Sequence, residues 1–94
     1  MANSSYRKVE WIVLIPKKIG KQRAELPRSE QSIFLALLDD LRMGGPVQGS
    51  WPNYSKLTKD RHHCHLSHKW VACWEVEKKI ISVYYVGSRK NAPY

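Results

Sequence analysis

No stretch of this 94-residue chain is apolar enough to cross a bilayer. The longest apolar runs, WIVLI and IFLALL, fall far short of the roughly 20 residues a spanning helix needs. The N-terminal MANSSYRKVE is polar and lacks the apolar core of a secretory signal, so a cytoplasmic location without membrane contact is expected. Cysteine is scarce: Cys64 and Cys73 are the only two, and they do not form a C-x-x-C pair. In a reducing compartment they read as small buried apolar residues rather than a disulfide. Internal repeats and low-complexity linkers are absent. Acidic residues are few, 8 Asp+Glu against 16 Lys+Arg, which leaves a net charge of +8 and a pI near 9.7. On so small a domain that excess points to a polyanionic partner, either nucleic acid or an acidic protein.

What is present suits one folded domain over residues 1–94. The hydrophobic fraction is 43%, with four Trp and five Tyr. Val9, Trp11, Val13 and Ile15 share one face of an extended run that Pro16 stops. Ile12 and Leu14 make the other face apolar too, which predicts a strand covered on both sides. Residues 17–26, KKIGKQRAEL, read as a short basic helix weakened by Gly20 and broken by Pro27. Ser29 and Glu30 are placed to start a second helix by capping and by complementing its dipole. Ile33, Phe34, Leu37, Leu38 and Leu41 give that helix an apolar stripe, and MGGP ends it. Beyond the loop GPVQGSWPNYS the period becomes alternating, with strands expected at 61–66, 69–76 and 80–87. The links SH and VEKK are short enough for antiparallel hairpins. The expected fold class is α+β, a small, largely antiparallel sheet packed against two N-terminal helices in the order β-α-α-β-β-β.

All four histidines and both cysteines lie within DRHHCHLSHKWVACWEV, residues 60–76. In a strand, His63 and His65 point one way and His62 and Cys64 the other. His62, Cys64 and Cys73 together could supply three zinc ligands, but the paired spacing of structural zinc sites is missing, so no metal is expected. His63 and His65, beside Lys59 and Arg61, better suit a surface that handles phosphate, where imidazole can act as base or acid near neutral pH. On chemistry alone, exposed strand histidines without a role remain an equal reading. Trp70, Ala72, Trp74 and Val76 read as core, opposite Val71, Cys73 and Glu75. The tail YYVGSRKNAPY offers Gly87 for a turn, then Arg89, Lys90 and Tyr94, and a guanidinium beside an aromatic ring can hold a phosphate and stack a base.

Taken in order, YSKLTKDRHHCHL, KWVACWEV and IISVYYVGSRKNAPY resemble the RelE/ParE superfamily of bacterial toxin–antitoxin toxins, in particular its RNA-cleaving branches. The resemblance covers nearly the whole chain and rests on the order and spacing of these segments. It implies a small antiparallel sheet against two helices. It also implies an endoribonuclease that cuts mRNA in the ribosomal A site and is neutralised by a cognate antitoxin. RelE-like toxins carry two lysines where His63 and His65 stand, and YafQ-like toxins carry a histidine at the position of His65, five residues before an aromatic. The family's final basic residue falls on Arg89 and its terminal aromatic on Tyr94. Two positions depart from the pattern: Val71 stands where RelE-like toxins have an arginine, and Arg89 stands where the YafQ-like branch has a second histidine.

The resemblance thus implies catalytic roles for His65, His63, Arg89 and Tyr94. His65 is the main proton-transfer residue, His63 the second candidate, Arg89 the phosphate ligand and Tyr94 a base-stacking group. Lys59, Arg61 and Lys90, with Lys17, Lys18 and Lys21 on the first helix, are expected to hold mRNA or ribosomal RNA. No cofactor is required by such a reaction. Two other readings stand beside this one: a ParE-like inhibitor of DNA gyrase, and a non-enzymatic RNA- or zinc-binding module.

Overall fold

The computed structural model describes residues 11–94, so the Val9 start of the expected first strand lies outside the described residues. Two prolines divide the first third of the chain. A three-residue strand, β1 (Ile12–Leu14), ends before Pro16, which precedes α1 (Lys17–Ala24), and Pro27 precedes α2 (Arg28–Gly44). Both prolines sit at the N-cap with φ near the value their rings impose, −57° and −55°. The expected Ser29 cap does not form. The helix starts one residue earlier, at Arg28, and the Ser29 hydroxyl turns to the Glu30 carboxylate in the first turn. α1 is also shorter than expected, because Glu25 and Leu26 fold into tighter bonds to the carbonyls of Gln22 and Arg23.

The apolar stripe of α2 packs as its spacing requires, with Phe34, Leu37, Leu38 and Leu41 buried. Gly45 ends the helix at φ +90°, its N–H reaching the Leu41 carbonyl at 2.9 Å. A Cβ at Gly45 would lie 2.8 Å from the Trp11 indole, so both the backbone angle and the packing of Trp11 require glycine here.

The remaining strands are β2 (Ser55–Lys56), β3 (Arg61–Ser67), β4 (Trp70–Glu77) and β5 (Ile80–Ser88). They form one five-stranded sheet in the order β1-β5-β4-β3-β2, with β1 parallel to β5 and every other pairing antiparallel. The three long strands fall within about a residue of their expected bounds, whereas β2 is an addition. The parallel pairing of β1 follows from the two helices between it and the sheet, which return the chain in the same direction.

Both helices contribute to one core on one face of the sheet, built from Ile19, Phe34, Leu37 and Leu41 against Leu66, Ala72, Trp74, Ile81, Val83 and Val86. Only one face of β1 is covered. Trp11 and Val13 pack on the core, while Ile12 and Leu14 are 55% and 48% exposed. The expectation that β1 is covered on both sides is therefore wrong, because both helices lie on the same side of the sheet.

A bulge in β5 shapes the other face. Cys73 pairs with Tyr85 but Trp74 pairs with Val83, which leaves Tyr84 as the extra residue. Val83 and Val86 thus both reach the core, and Tyr84 and Tyr85 fall together on the face away from the helices. Gly87 lies inside β5 rather than in a turn. A Cβ there would meet the Tyr85 hydroxyl oxygen at 2.7 Å, so glycine leaves room for the Tyr85 ring, whose hydroxyl donates to the Ser88 carbonyl at 2.7 Å.

Candidate active site

Strand alternation places the histidines as the sequence suggests. His62, Cys64 and Leu66 face the helices, and Arg61, His63 and His65 face away. On the core side, His62 is a satisfied core histidine. Its ring stacks on Trp74, its cross-strand partner, at 6.1 Å and on Tyr54 at 5.9 Å, and Tyr54 Oη lies 2.7 Å from His62 Nδ1. Cys64 lies beside it in the core and Cys73 under the opposite face, both free thiols whose burial pushes the pKa up to about 12. The trio His62, Cys64 and Cys73 is therefore divided by the sheet and does not converge on one point.

The outer face carries the constellation. The ring centroids of His63 and His65 are 5.8 Å apart, and the Tyr94 ring sits 4.5 Å from His63. The chain beyond β5 makes one 3-10 turn at Arg89–Asn91, closed by the Ser88 hydroxyl accepting from the Asn91 N–H. The Arg89 N–H donates to the Lys69 carbonyl at 2.7 Å, which ties this tail to the β3–β4 hairpin. His63 and His65 are only 7% and 8% exposed, so they are not the surface residues that alternation alone suggests. Beside them on β4 stand Val71, which pairs with His65 on one side and Gly87 on the other, and Cys73, which pairs with His63; both are fully buried. The position where RelE-like toxins carry an arginine is thus buried and apolar here.

That environment sets the charges. Burial, then the neighbouring His65, lowers the pKa of His63, partly offset by the Ser55 backbone, which favours a protonated ring. Burial, then Arg89 and His68, lowers that of His65. Both rings are therefore held towards the neutral form, able to accept a proton, with a guanidinium at hand for an anion. Tyr94 and Tyr84 are pushed up, Tyr84 to about 12, chiefly by burial, so both hydroxyls stay protonated as donors.

Of the expected RNA-binding residues, Arg61 lies on the histidine face but is engaged there. It pairs with Glu75 at 3.1 Å and its guanidinium carbon sits 4.8 Å over the Tyr84 ring. Lys59 is exposed in the loop before β3 and Lys90 in the turn after β5, at the two ends of this face. Lys17, Lys18 and Lys21 are exposed on α1, in the helical layer and away from the histidines. Two residues that hold the histidine strand went unnoticed in the sequence, Tyr54 on the core side and Ser55 at the site. Ser55 opposes His63 in register, and its Oγ lies 3.1 Å from His63 Nδ1. A strand of two residues shows no periodicity, and the hydroxyl side chains inside SWPNYS carry no other signal.

The chain matches no protein-family model and no curated protein sequence. Its fold does match solved structures. It superposes on RelE in the archaeal RelE–RelB complex from Pyrococcus horikoshii with a TM-score of 0.70 at 20% identity, over 88% of this chain and 99% of that one. YoeB in the YoeB–YefM complex from Staphylococcus aureus gives a TM-score of 0.66 at 10% identity, over 84% and 97% of the two chains. A copper-bound mutant toxin from Helicobacter pylori gives 0.65 at 15% identity, over 85% and 96%. The two helices and the five-stranded mixed sheet thus form a RelE-like α+β fold, the fold shared by these RelE, YoeB and toxin structures.

Proposed function

We propose that the protein is the toxin of a type II toxin–antitoxin system, a RelE-superfamily endoribonuclease that cleaves mRNA in the ribosomal A site and is held inactive by a cognate antitoxin. The observation that carries this reading is the pairing of His63 and His65 on one strand, 5.8 Å apart, with Tyr94 against one of them and the charge of Arg89 felt by the other. Two imidazoles at that separation can serve the two oxygens on either side of one phosphorus. One takes the proton of the ribose 2′-hydroxyl as it attacks, and the other protonates the departing 5′-oxygen. Arg89 offsets the charge that builds on the phosphoryl oxygens, and Tyr94 stacks on or orients a base. The buried apolar side chains of Val71 and Cys73 beside the rings lower the local polarity and strengthen these interactions. The products are a 2′,3′-cyclic or 3′-phosphate and a 5′-hydroxyl, and the chemistry calls for side chains alone.

The antitoxin partner is supported by the fold relatives, whose RelE and YoeB chains are seen in complex with RelB and YefM. Ribosome dependence is supported by what the small domain supplies. In-line attack needs three atoms held nearly collinear, an alignment worth on the order of 7–11 kcal/mol in the best cases. The site is an open face with two buried imidazoles, while the +8 charge, including Lys17, Lys18, Lys21, Lys59 and Lys90, suits docking on ribosomal RNA. The test is one message incubated with the protein, with and without programmed ribosomes at matched salt. In-frame breaks that require ribosomes are expected, and His65→Gln should lower the rate by about 100- to 10,000-fold. Equal cutting in both tubes refutes ribosome dependence; no cutting in either refutes the nuclease.

A further inference from the structure

His63 has a partner that His65 lacks. Ser55, half of the two-residue strand β2, stands directly opposite His63, and its Oγ lies 3.1 Å from His63 Nδ1. One residue earlier, Tyr54 repeats the arrangement on the other face, with Oη 2.7 Å from His62 Nδ1. Adjacent hydroxyls of the β2 segment thus meet the Nδ1 atoms of adjacent histidines, one on each side of the sheet. Among the described residues no hydrogen bond holds the His65 ring. The two imidazoles of the site are therefore not equivalent: one is anchored and the other is free to turn.

A serine hydroxyl can donate or accept, so the bond to Oγ alone does not fix where the ring hydrogen lies. The Ser55 backbone also favours the protonated ring, as an acceptor does and a donor does not. With Nδ1 held against the Ser55 hydroxyl, Nε2 is the ring nitrogen left to meet a substrate, and it keeps its lone pair when Nδ1–H donates to Oγ. We propose that Ser55 is a positioning residue that holds His63 with its hydrogen on Nδ1 and its lone pair on Nε2, which makes His63 the base and leaves His65 as the acid.

This division rests on the nuclease reading given above. In it, His63 Nε2 takes the 2′-hydroxyl proton as the 2′-oxygen–phosphorus bond forms. The bond from phosphorus to the 5′-oxygen breaks, and its electron pair stays on that oxygen, which takes the proton that His65 carries. His65 gains that proton from solvent when the substrate phosphate is bound, because the anion offsets the repulsion of Arg89 and His68. Solvent then returns both rings to their starting states. The other titratable groups facing His63 are His65, Tyr94 and Cys73, and none of them contacts Nδ1 by a hydrogen bond among the described residues.

The test reads the ring directly. Full-length protein made with 15N-histidine, with and without Ser55→Ala, gives the tautomer of His63 from its two ring-nitrogen shifts, in the absence of RNA. The native chain is expected to show hydrogen on Nδ1. Ser55→Ala should move the population towards the Nε2–H form that unconstrained imidazole favours. On programmed ribosomes Ser55→Ala should lower kcat roughly tenfold, the rate equivalent of one lost hydrogen bond, with KM unchanged, and Ser55→Thr should restore it. A native His63 with hydrogen on Nε2, or an alanine variant with unaltered tautomer and kcat, overturns the proposal. A chain whose tautomer responds as expected but whose native form cuts no message refutes the nuclease reading instead, and with it the base assignment.

Discussion

Replacing Tyr54 by phenylalanine removes a single oxygen, and the structure says what that oxygen does. The ring remains, and with it the stacks on His62 at 5.9 Å and on Trp74 at 6.3 Å. What goes is the partner of His62 Nδ1, at 2.7 Å, on an imidazole only 2% exposed. Water cannot reach that nitrogen without opening the stack, so the cost is that of an unsatisfied buried polar group, about 1–3 kcal/mol. For a domain of this size each kcal/mol lowers the melting temperature by roughly 4–8 °C, and total stability is only of the order of 5–15 kcal/mol. Thermal and urea melts of the folded chain measure the loss. A double-mutant cycle isolates its cause: in a His62→Phe background no nitrogen waits for a partner, and Tyr54→Phe should then be nearly neutral. A cost below about 0.5 kcal/mol in the native background, or an equal cost in both, refutes the hydrogen bond as what secures β2 to β3.

Acid should unfold the protein through its histidines. His62, His63 and His65 all have their folded-state pKa lowered from 6.5, first by burial, so the unfolded chain binds protons that the native chain does not. Their stabilisation is complete above the unfolded value and is lost as pH falls below it, with a slope of up to about 1.4 kcal/mol per pH unit for each histidine. Melts at pH 7.5 and 5.5 with equal midpoints refute this. Gly87→Ala places a methyl 2.7 Å from the Tyr85 hydroxyl and should cost about 1–3 kcal/mol through a displaced ring, a loss that Tyr85→Ala in the same chain should relieve; an unrelieved loss would point to the backbone instead. Arg61→Ala removes a half-exposed pair with Glu75 and should change stability by less than about 1 kcal/mol, so weakened ribosome binding in that variant, measured at several salt concentrations, reports an RNA contact. A melting point lowered as far as in Tyr54→Phe would make Arg61 structural.

The parts of the fold that were legible are those whose side chains repeat. Ile33 to Leu41 declare a helix and its buried face, and the alternation from Arg61 to Val86 declares three strands. His62 and His63 were separated to opposite faces by alternation alone. What escaped was set by contacts between distant segments. Whether β1 is covered on one side or two depends on where both helices land, and Ile12 and Leu14 look the same in either case. The bulge at Tyr84 follows from the register between β4 and β5, which no residue in YYVGS announces. Ser55 went unseen for the same reason, since its meaning comes from standing opposite His63. The burial of His63 was likewise invisible, because Tyr94 returns over the sheet to pack on its ring.

That burial bears on how so basic a chain could use His63 and His65 in the proposed reaction. Burial depresses the proton affinity of His63 and His65, and Arg89 and His68 add to it for His65. In free protein both rings are thereby kept neutral, which suits the one that must accept a proton and disarms the one that must give one. In the proposed reaction a bound phosphodiester changes the balance. It brings a negative charge between the rings beside buried apolar side chains, where the interaction is strong, and so favours protonation of the unanchored ring. Ser55 keeps the anchored ring in its accepting tautomer through the same event. On the proposed division of roles the acid is charged only when substrate is in place, and the asymmetry between the two histidines comes from the two-residue strand β2, which holds His63 alone.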